Sequence, residues 1–156
     1  MTLRVGIAGY GVVGRRRRSF IDNHAEMKTV AVCDRTLPGN GAFDDGVRHY
    51  AHYHDLLGEE LDILIVCMSN DMAAEVTIAG LEAGLHVLCE KPPGQNVADI
   101  ARVIDAENRH PTLKLKYGFN HRYHDSVRDA LKIVHSGELG GTINLRGVYS
   151  NRQPDR

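Results

Sequence analysis

Residues 6 to 14 read GIAGYGVVG and place Gly9, Gly11 and Gly14 at the spacing Gly-x-Gly-x-x-Gly. The apolar run Leu3–Ala8 precedes these glycines and predicts a strand, and the residues that follow predict a helix. The first glycine permits a tight turn, the second lets a phosphate approach the backbone, and the third lets the helix pack closely against the strand. The stretch therefore predicts the strand–turn–helix unit of a nucleotide-binding α/β fold.

An acidic residue stands where such a fold needs one. Asp34 follows the strand predicted at Thr29–Cys33 and lies 20 residues beyond Gly14. Its carboxylate can accept hydrogen bonds from an adenosine ribose, and the free N–H groups that open the helix, at Val12 and Val13, can bind a phosphate. The turn and Asp34 together predict a dinucleotide site.

Arg35, directly after Asp34, leaves the choice of dinucleotide open. An arginine there can bind the 2′-phosphate of NADP, whereas Asp34 would repel that phosphate. We count both residues as cofactor-binding and expect NAD, with NADP as the alternative.

Apolar runs rich in β-branched residues alternate with segments of helical periodicity along most of the chain. The runs are Leu3–Ala8, Thr29–Cys33, Leu61–Cys67, His86–Cys89 and Leu113–Tyr117, with a short further strand expected near Arg48–Tyr50. Strands that are apolar almost throughout indicate a parallel sheet covered on both faces. The predicted fold class is α/β, a doubly wound parallel sheet of the Rossmann type.

The alternation of predicted strands and helices is interrupted at two places in the chain. Residues 37–46, LPGNGAFDDG, have the composition of a mobile loop. After Gly118 one helix, with Gly137 as its end, precedes an alternating strand from Thr142 to about Ser150, which is typical of the start of a second unit. We expect a dinucleotide-binding domain at residues 1–121 and the first helix and strand of a truncated second α/β domain at residues 122–156.

The composition argues against several classes of function. The net charge is −1 and 25% of the residues are charged, which indicates neither a nucleic-acid partner nor a membrane surface. No apolar run approaches the roughly 20 residues needed to cross a bilayer. Cys33, Cys67 and Cys89 lie in or at the ends of apolar runs and predict reduced core thiols in a cytoplasmic protein.

Residues 86–94, HVLCEKPPG, end a buried strand with the charged pair Glu90 and Lys91, followed by two prolines. Burying either charge unpaired is costly, and proline cannot donate a backbone hydrogen bond. From the residues alone, a salt bridge at the rim of the fold is the simpler interpretation of this pair.

With CEKPPG added to the glycine turn and Asp34, the sequence resembles the glucose–fructose oxidoreductase, inositol dehydrogenase and MocA family. The resemblance extends over essentially the whole chain and is most specific in AEVTIAGLEAGLHVLCEKP, residues 74–92, with support from YGFNHRYH, residues 117–124. It implies a Rossmann domain followed by an open-sheet α/β domain, and NAD- or NADP-dependent oxidation or reduction of sugars, cyclitols or sugar nucleotides.

The resemblance also assigns roles at the end of the EKP strand. Ligands of doubly wound sheets bind outside the carboxyl ends of the strands, so this strand end faces the nicotinamide end of the cleft. Lys91 can then donate to a ribose or substrate oxygen and stabilise a developing alkoxide. Glu90 is placed to orient or compensate Lys91, and Pro92 stiffens the strand end. We take Lys91 and Glu90 as catalytic candidates and all three as cofactor-binding.

Four further residues follow from the same resemblance. Ser69 stands where the family often has a proline, and Asn70 is expected to cap a helix beside the cofactor. Asn120 and Arg122 match the family pattern and are expected near the nicotinamide end. Ala73 replaces a histidine that the family often carries, so one wall of the cleft departs from the pattern.

Two groups of side chains receive simpler interpretations. His49, His52 and His54 lie in RHYAHYHD, which we interpret as a polar surface segment, so no metal site is expected. In the arginine run that opens the first helix, Arg15 and Arg18 are interpreted as solvated. The stems of Arg16 and Arg17 are interpreted as lying over apolar surface.

The length limits the expected function. Family members are roughly twice as long, and the resemblance places their proton-transfer aspartate and histidine in the second domain. We expect the half of an oxidoreductase that binds NAD(P) and a small sugar-like substrate, inactive alone; the alternative is a non-catalytic dinucleotide-binding module or regulatory subunit. The apolar face of the strand predicted from Thr142 predicts pairing with another chain, and so a homo-oligomer.

Overall fold

The computed structural model describes residues 1–148, in which a sheet and its helices form the first unit. The strands are β1 Leu3–Ala8, β2 Met27–Cys33, β3 Gly41–Ala42, β4 Arg48–Tyr50, β5 Ile63–Val66, β6 His86–Cys89 and β7 Leu115–Tyr117. The helices are α1 Val12–Asp22, α2 Tyr53–Leu56, α3 Asn70–Glu82, α4 Val97–Arg109 and α5 Asp125–Ser136, with a 3₁₀ helix at Asn120–Tyr123. The short strand expected near Arg48–Tyr50 is confirmed as β4.

The strands lie in the order β3-β4-β2-β1-β5-β6-β7. Every pair is parallel except β3 with β4. From β1 the chain builds outward to β2 and β4 on one side and then returns to build β5, β6 and β7 on the other. This reversal beside β1 is the switch point at which doubly wound sheets bind their ligands. The predicted fold class is confirmed.

Alternate residues of each central strand pack into two separate cores. Ile7 of β1 and Val32 of β2 pack with Ile21 of α1 on one face. Ala8 and Val66, at the ends of β1 and β5, pack on the other face with residues of α2, α3 and α4. Since side chains alternate across a strand, the sheet is apolar on both faces, which explains the continuous apolar runs.

Three helices end or begin at residues suited to a helix terminus, and the end predicted at Gly137 is confirmed. Asn96 accepts a hydrogen bond from the Asp99 N–H at 3.0 Å and so caps α4. Gly84 follows α3 with φ +80°, and Gly137 ends α5 with φ +78°, backbone conformations that favour glycine. Within residues 1–148 no helix is both long and apolar enough to cross a membrane.

Residues 37–46 are held more firmly than their composition predicts. They include β3, and Phe43 packs its ring 4.8 Å from that of His49 and 5.8 Å from that of Tyr10. Arg18 of α1 forms an ion pair with Asp45 and donates to the Tyr10 hydroxyl. The interpretation of Arg18 as solvated is wrong, because only 15% of its side chain is exposed.

The second unit begins at Asn120 and is described by itself. It contains the 3₁₀ helix and α5, so the helix predicted after Gly118 is confirmed. The strand predicted from Thr142 is absent from residues 142–148, and the remainder of that prediction falls outside the described residues. An alternating pattern shows which face a strand would bury, but a strand forms only with a neighbour to accept its backbone hydrogen bonds.

Candidate functional site

The turn between β1 and α1, residues 9–14, leaves no room for side chains at two of its glycines. A Cβ on Gly9, whose φ is +94°, would lie 2.4 Å from the Cys67 carbonyl oxygen. A Cβ on Gly14 would lie 2.0 Å from the Gly9 carbonyl oxygen. At Gly11 nothing lies within 4 Å of the same position. Two glycines are therefore required by the fold itself, and the third leaves open space beside the backbone.

That open space adjoins the amino-terminal end of α1. Gly11 is the N-cap and supplies no side-chain acceptor for the first helical N–H groups. Val12 and Val13 form the first turn and are 87% and 47% exposed, although both are large apolar residues. Free N–H groups and the positive end of a helix dipole favour an anion. The space at Gly11 fits a diphosphate lying against the backbone.

Asp34 is held rigidly at the end of β2. One carboxylate oxygen accepts from the Tyr10 N–H at 2.9 Å, and the other accepts from the N–H and hydroxyl of Thr36 at 3.0 and 2.7 Å. Partial burial alone would raise the pKa of Asp34, but the hydrogen bonds from Thr36 and Tyr10 outweigh it and lower the pKa. The carboxylate is thus ionised and oriented before any ligand arrives.

A cavity of about 530 Å³ lies beside Asp34 at the carboxyl ends of β1, β2 and β5. Gly9, Arg35, Ser69 and Met72 are among its lining residues. Its volume suits a nucleoside, and Asp34 supplies an acceptor for ribose hydroxyls. Four of the predicted cofactor-binding residues, Gly9, Asp34, Arg35 and Ser69, are therefore brought to one cavity.

The amino-terminal end of α3 differs from the prediction. Ser69, not Asn70, occupies the N-cap position, and its backbone carbonyl accepts from Met72 and Ala73 at 3.0 and 2.9 Å. Asn70 is the first helical residue and is exposed. The expected capping by Asn70 is wrong because the helix begins one residue earlier than the motif suggested.

The end of β6, residues 89–92, is fixed by the strands on both sides. The Glu90 N–H donates to the Val66 carbonyl of β5, and the Gly118 N–H donates to the Cys89 carbonyl, each at 2.8 Å. The peptide bond between Lys91 and Pro92 is cis. This segment, called the EKP tip below, lies at the same edge of the sheet as the glycine turn.

Glu90 does not pair with Lys91. Its carboxylate accepts from Arg17 of α1, with an Nε–Oε1 distance of 2.6 Å and a second donation from the same guanidinium. Lys91 is exposed and makes no hydrogen bond or ion pair among residues 1–148. The structure therefore corrects the interpretation of Glu90 as the residue that compensates Lys91. It also gives the Arg17 head group a specific partner.

Asn120 and Arg122 lie in the 3₁₀ helix of the second unit, and both are exposed. Their expected contact with the nicotinamide end stays a prediction.

The histidines of RHYAHYHD contact neighbouring residues. His49 lies close to the Gly39 carbonyl, at 3.0 Å from Nδ1, and His54 stacks on Tyr53. Within the described part of the chain, no three or more potential ligands are grouped to hold a metal ion.

The three cysteines are free thiols at the carboxyl ends of strands, as predicted. Burial raises the pKa of Cys33 to about 11 and that of Cys67 to about 12. Burial also raises the pKa of Cys89. Neutral thiols are poor nucleophiles, so these residues act as apolar packing.

A second, largely apolar groove of about 560 Å³ lies on the face of the sheet that carries α1. Phe20, Ile21, Ile63 and Leu88 line it, and Arg17 lies along it. The groove contains no acidic side chain to bind a sugar and no residue of the glycine turn. The cavity beside Asp34 has polar groups that can bind a nucleotide, so it is the candidate functional site.

Comparison with known proteins agrees with this geometry. Residues 3–119 match the model of a family described as an oxidoreductase family with an NAD-binding Rossmann fold. An inositol 2-dehydrogenase of Salmonella paratyphi B is 32% identical over 157 residues, covering 97% of this chain and 47% of that protein. The chain spans about half the length of the curated relatives it matches.

Solved structures show the same fold. The myo-inositol 2-dehydrogenase of Lactobacillus plantarum superposes with a TM-score of 0.78 at 29% identity, over 90% of this chain and 43% of that one. The scyllo-inositol dehydrogenase of Lactobacillus casei, solved with NAD(H) and scyllo-inositol, gives a TM-score of 0.80 at 24% identity, over 90% and 43% of the two chains. The second likeness is one of fold alone.

Proposed function

Because this chain belongs to the glucose–fructose oxidoreductase, inositol dehydrogenase and MocA family of NAD-binding oxidoreductases, we propose that it supplies the cofactor half of a cyclitol or sugar dehydrogenase. The observation that supports this proposal most directly is the open space at Gly11 together with the oriented, ionised carboxylate of Asp34. The family's NAD supplies the hydride acceptor. The residues of this chain bind the diphosphate at the helix end and the adenosine ribose at Asp34.

The EKP tip would act at the other end of the same cofactor. Lys91 has no ion-pair partner among residues 1–148 and lies at the carboxyl end of β6, where a nicotinamide riboside would lie. It can donate to a ribose or substrate hydroxyl and stabilise negative charge that develops on the substrate oxygen. Pro92 follows it directly and is proposed to stiffen this end of the site.

A cyclitol, sugar or sugar nucleotide is the proposed substrate class. Several relatives are named inositol 2-dehydrogenases. One solved neighbour, at 29% identity, is a myo-inositol 2-dehydrogenase. The free thiols support a proposed cytoplasmic location. The exposed Leu131, Leu139 and Ile143 support a proposed homo-oligomer, which light scattering would detect.

Cofactor binding without useful turnover is expected for the 156 residues alone. Oxidising an alcohol also requires a base for the hydroxyl proton, typically worth about 10²–10⁴-fold in rate. Substrate positioning is worth up to roughly 7–11 kcal/mol of the barrier. Calorimetric titration with NADH and a screen of inositols, sugars and sugar nucleotides with NAD, read as NADH absorbance, test both parts. Failure to bind NADH would refute the proposed cofactor site. Robust turnover by the wild type that disappears in Lys91→Ala would show that these 156 residues are sufficient for catalysis.

A further inference from the structure

The ion pair between Arg17 and Glu90 links α1 to the end of β6, two elements that are far apart in the sequence. Arg17 lies in α1, directly after the glycine turn, and Glu90 lies at the end of β6. Both side chains are largely buried, with 26% and 12% of their surfaces exposed. A charge-assisted pair at this depth is stronger than one in open solvent, because water screens it less.

A third residue fixes where the Glu90 carboxylate lies. A Cβ on Gly118 would lie 2.6 Å from one Glu90 oxygen, so the absence of a side chain there leaves room for the carboxylate. The other oxygen accepts both donations from Arg17. Each Glu90 oxygen is therefore placed by a residue other than Lys91, which lies next to Glu90 in the chain but has no partner among residues 1–148.

We propose that Arg17 is a positioning residue, which neutralises Glu90 and holds it against Gly118 so that Lys91, unpaired among residues 1–148, can present its charge at the EKP tip. Without Arg17, the nearest cation to the Glu90 carboxylate along the chain is Lys91. Glu90 then pairs with Lys91 and withdraws it from the nicotinamide riboside end of the cofactor. The inference rests on the proposed function for the role of Lys91, but the pairing itself is independent of it.

Four variants separate this role from a merely structural one. Arg17→Met removes the charge and keeps an apolar stem, and Arg17→Lys keeps a charge. Arg16→Met is the matched control, because Arg16 is its exposed neighbour in the same helix. The double variant Arg17→Met/Glu90→Gln removes both members of the pair, so that no free carboxylate remains to capture Lys91.

The first readout is the affinity for NADH relative to that for ADP, which carries the adenosine and diphosphate but no nicotinamide riboside. We expect Arg17→Met to lower this ratio about tenfold, a change of 1.4 kcal/mol in binding free energy. Arg16→Met should leave the ratio unchanged, and both Arg17→Lys and the double variant should restore it to within about threefold of the wild type. Weakened ADP binding to the same extent as NADH, or a double variant no better than Arg17→Met, would overturn the inference.

The second readout needs no cofactor. Brief acetylation followed by mass spectrometry measures how fast the Lys91 amine reacts relative to the other lysines. Lys91 should react more slowly in Arg17→Met than in the wild type and recover in the double variant, because a paired ammonium is shielded. Unchanged Lys91 labelling in a folded Arg17→Met protein would refute the positioning role. If the wild type binds no NADH, the proposed function fails, and this labelling still decides the role of Arg17.

Discussion

At the scale of single residues, space and charge explain the glycine turn and the acidic residue beside it. Gly9 and Gly14 are fixed by backbone atoms that a Cβ would strike, whereas Gly11 faces open space. The Gly14 contact arises within residues 7–14, so the spacing of the motif predicts it, whereas the Gly9 contact is with Cys67 at the end of β5 and depends on the order of the strands. Tyr10 and Thr36 donate the three hydrogen bonds that orient Asp34, but the glycine spacing and the apolar runs do not identify these two residues as its partners.

The contact at Gly14 predicts a large effect on stability. Gly14→Ala places a methyl group 2.0 Å from the Gly9 carbonyl oxygen, and the backbone must move to accept it. We expect a loss of about 3 kcal/mol in the free energy of unfolding, measured by urea denaturation. Gly11→Ala is the control and should cost less than about 1 kcal/mol, since nothing lies within 4 Å. Equal losses in the two variants would contradict the packing described for the turn.

The environment of Asp34 predicts cofactor preference and its pH dependence. Asp34→Ala should narrow the preference for NADH over NADPH, because the carboxylate that repels a 2′-phosphate is removed. Asp44→Ala, an exposed aspartate outside the cavity, is the matched control. A preference for NADPH in the wild type would overturn the assignment.

The pKa of Asp34 is lowered below 3.8, so its carboxylate contributes stability at neutral pH. That contribution is lost only as the pH falls through the lowered value. Competitive titration should therefore show that protonation of Asp34 does not weaken NADH binding between about pH 8 and pH 5. Affinity that falls steadily across this range in the wild type, but not in Asp34→Ala, would contradict the direction of the pKa shift.

At the scale of elements, the arginine run of α1 illustrates what periodicity can and cannot predict. Helical spacing accounts for the i,i+4 ion pair of Arg18 with Asp22, but the other ion-pair partners of Arg17 and Arg18 come from distant parts of the chain. Arg18 binds Asp45 and Arg17 binds Glu90, contacts set by the order of the strands and not by the helix. By contrast, the cap of α4 by Asn96 involves only the first turn of that helix, so such a contact can be identified from neighbouring residues in the sequence.

The contacts of Arg18 predict how readily residues 37–46 open locally to solvent. Arg18→Met removes the ion pair to Asp45 and the hydrogen bond to the Tyr10 hydroxyl. The Phe43 N–H, which donates to the Val47 carbonyl at 2.9 Å, should then exchange with solvent deuterium several-fold faster, because local opening costs less free energy. Arg16→Met should leave the exchange unchanged. No change in either variant would mean that the segment is held by its apolar contacts alone.

At the scale of the whole molecule, the described residues divide into a nucleotide-binding unit and a second unit that begins at Asn120. Alternating strands and helices predicted the parallel sheet of the first unit, because a sheet buried on both faces leaves an unmistakable pattern of apolar runs. The two-residue strand β3 is too short to leave any pattern. The strand predicted from Thr142 does not form in residues 142–148, and no strand in the described part of the chain pairs with that segment.

Binding of NAD(H) at the glycine turn underlies every role proposed for this site, and two titrations test that binding. NADH should bind the wild type with one site per chain, and Gly11→Val should lose at least about a hundredfold in affinity, because its side chain fills the space that the diphosphate needs. Calorimetry at equal protein concentrations, with unfolding midpoints measured beside it, separates lost binding from lost folding. Equal NADH affinity in the wild type and in folded Gly11→Val would show that the diphosphate does not bind in the space beside Gly11.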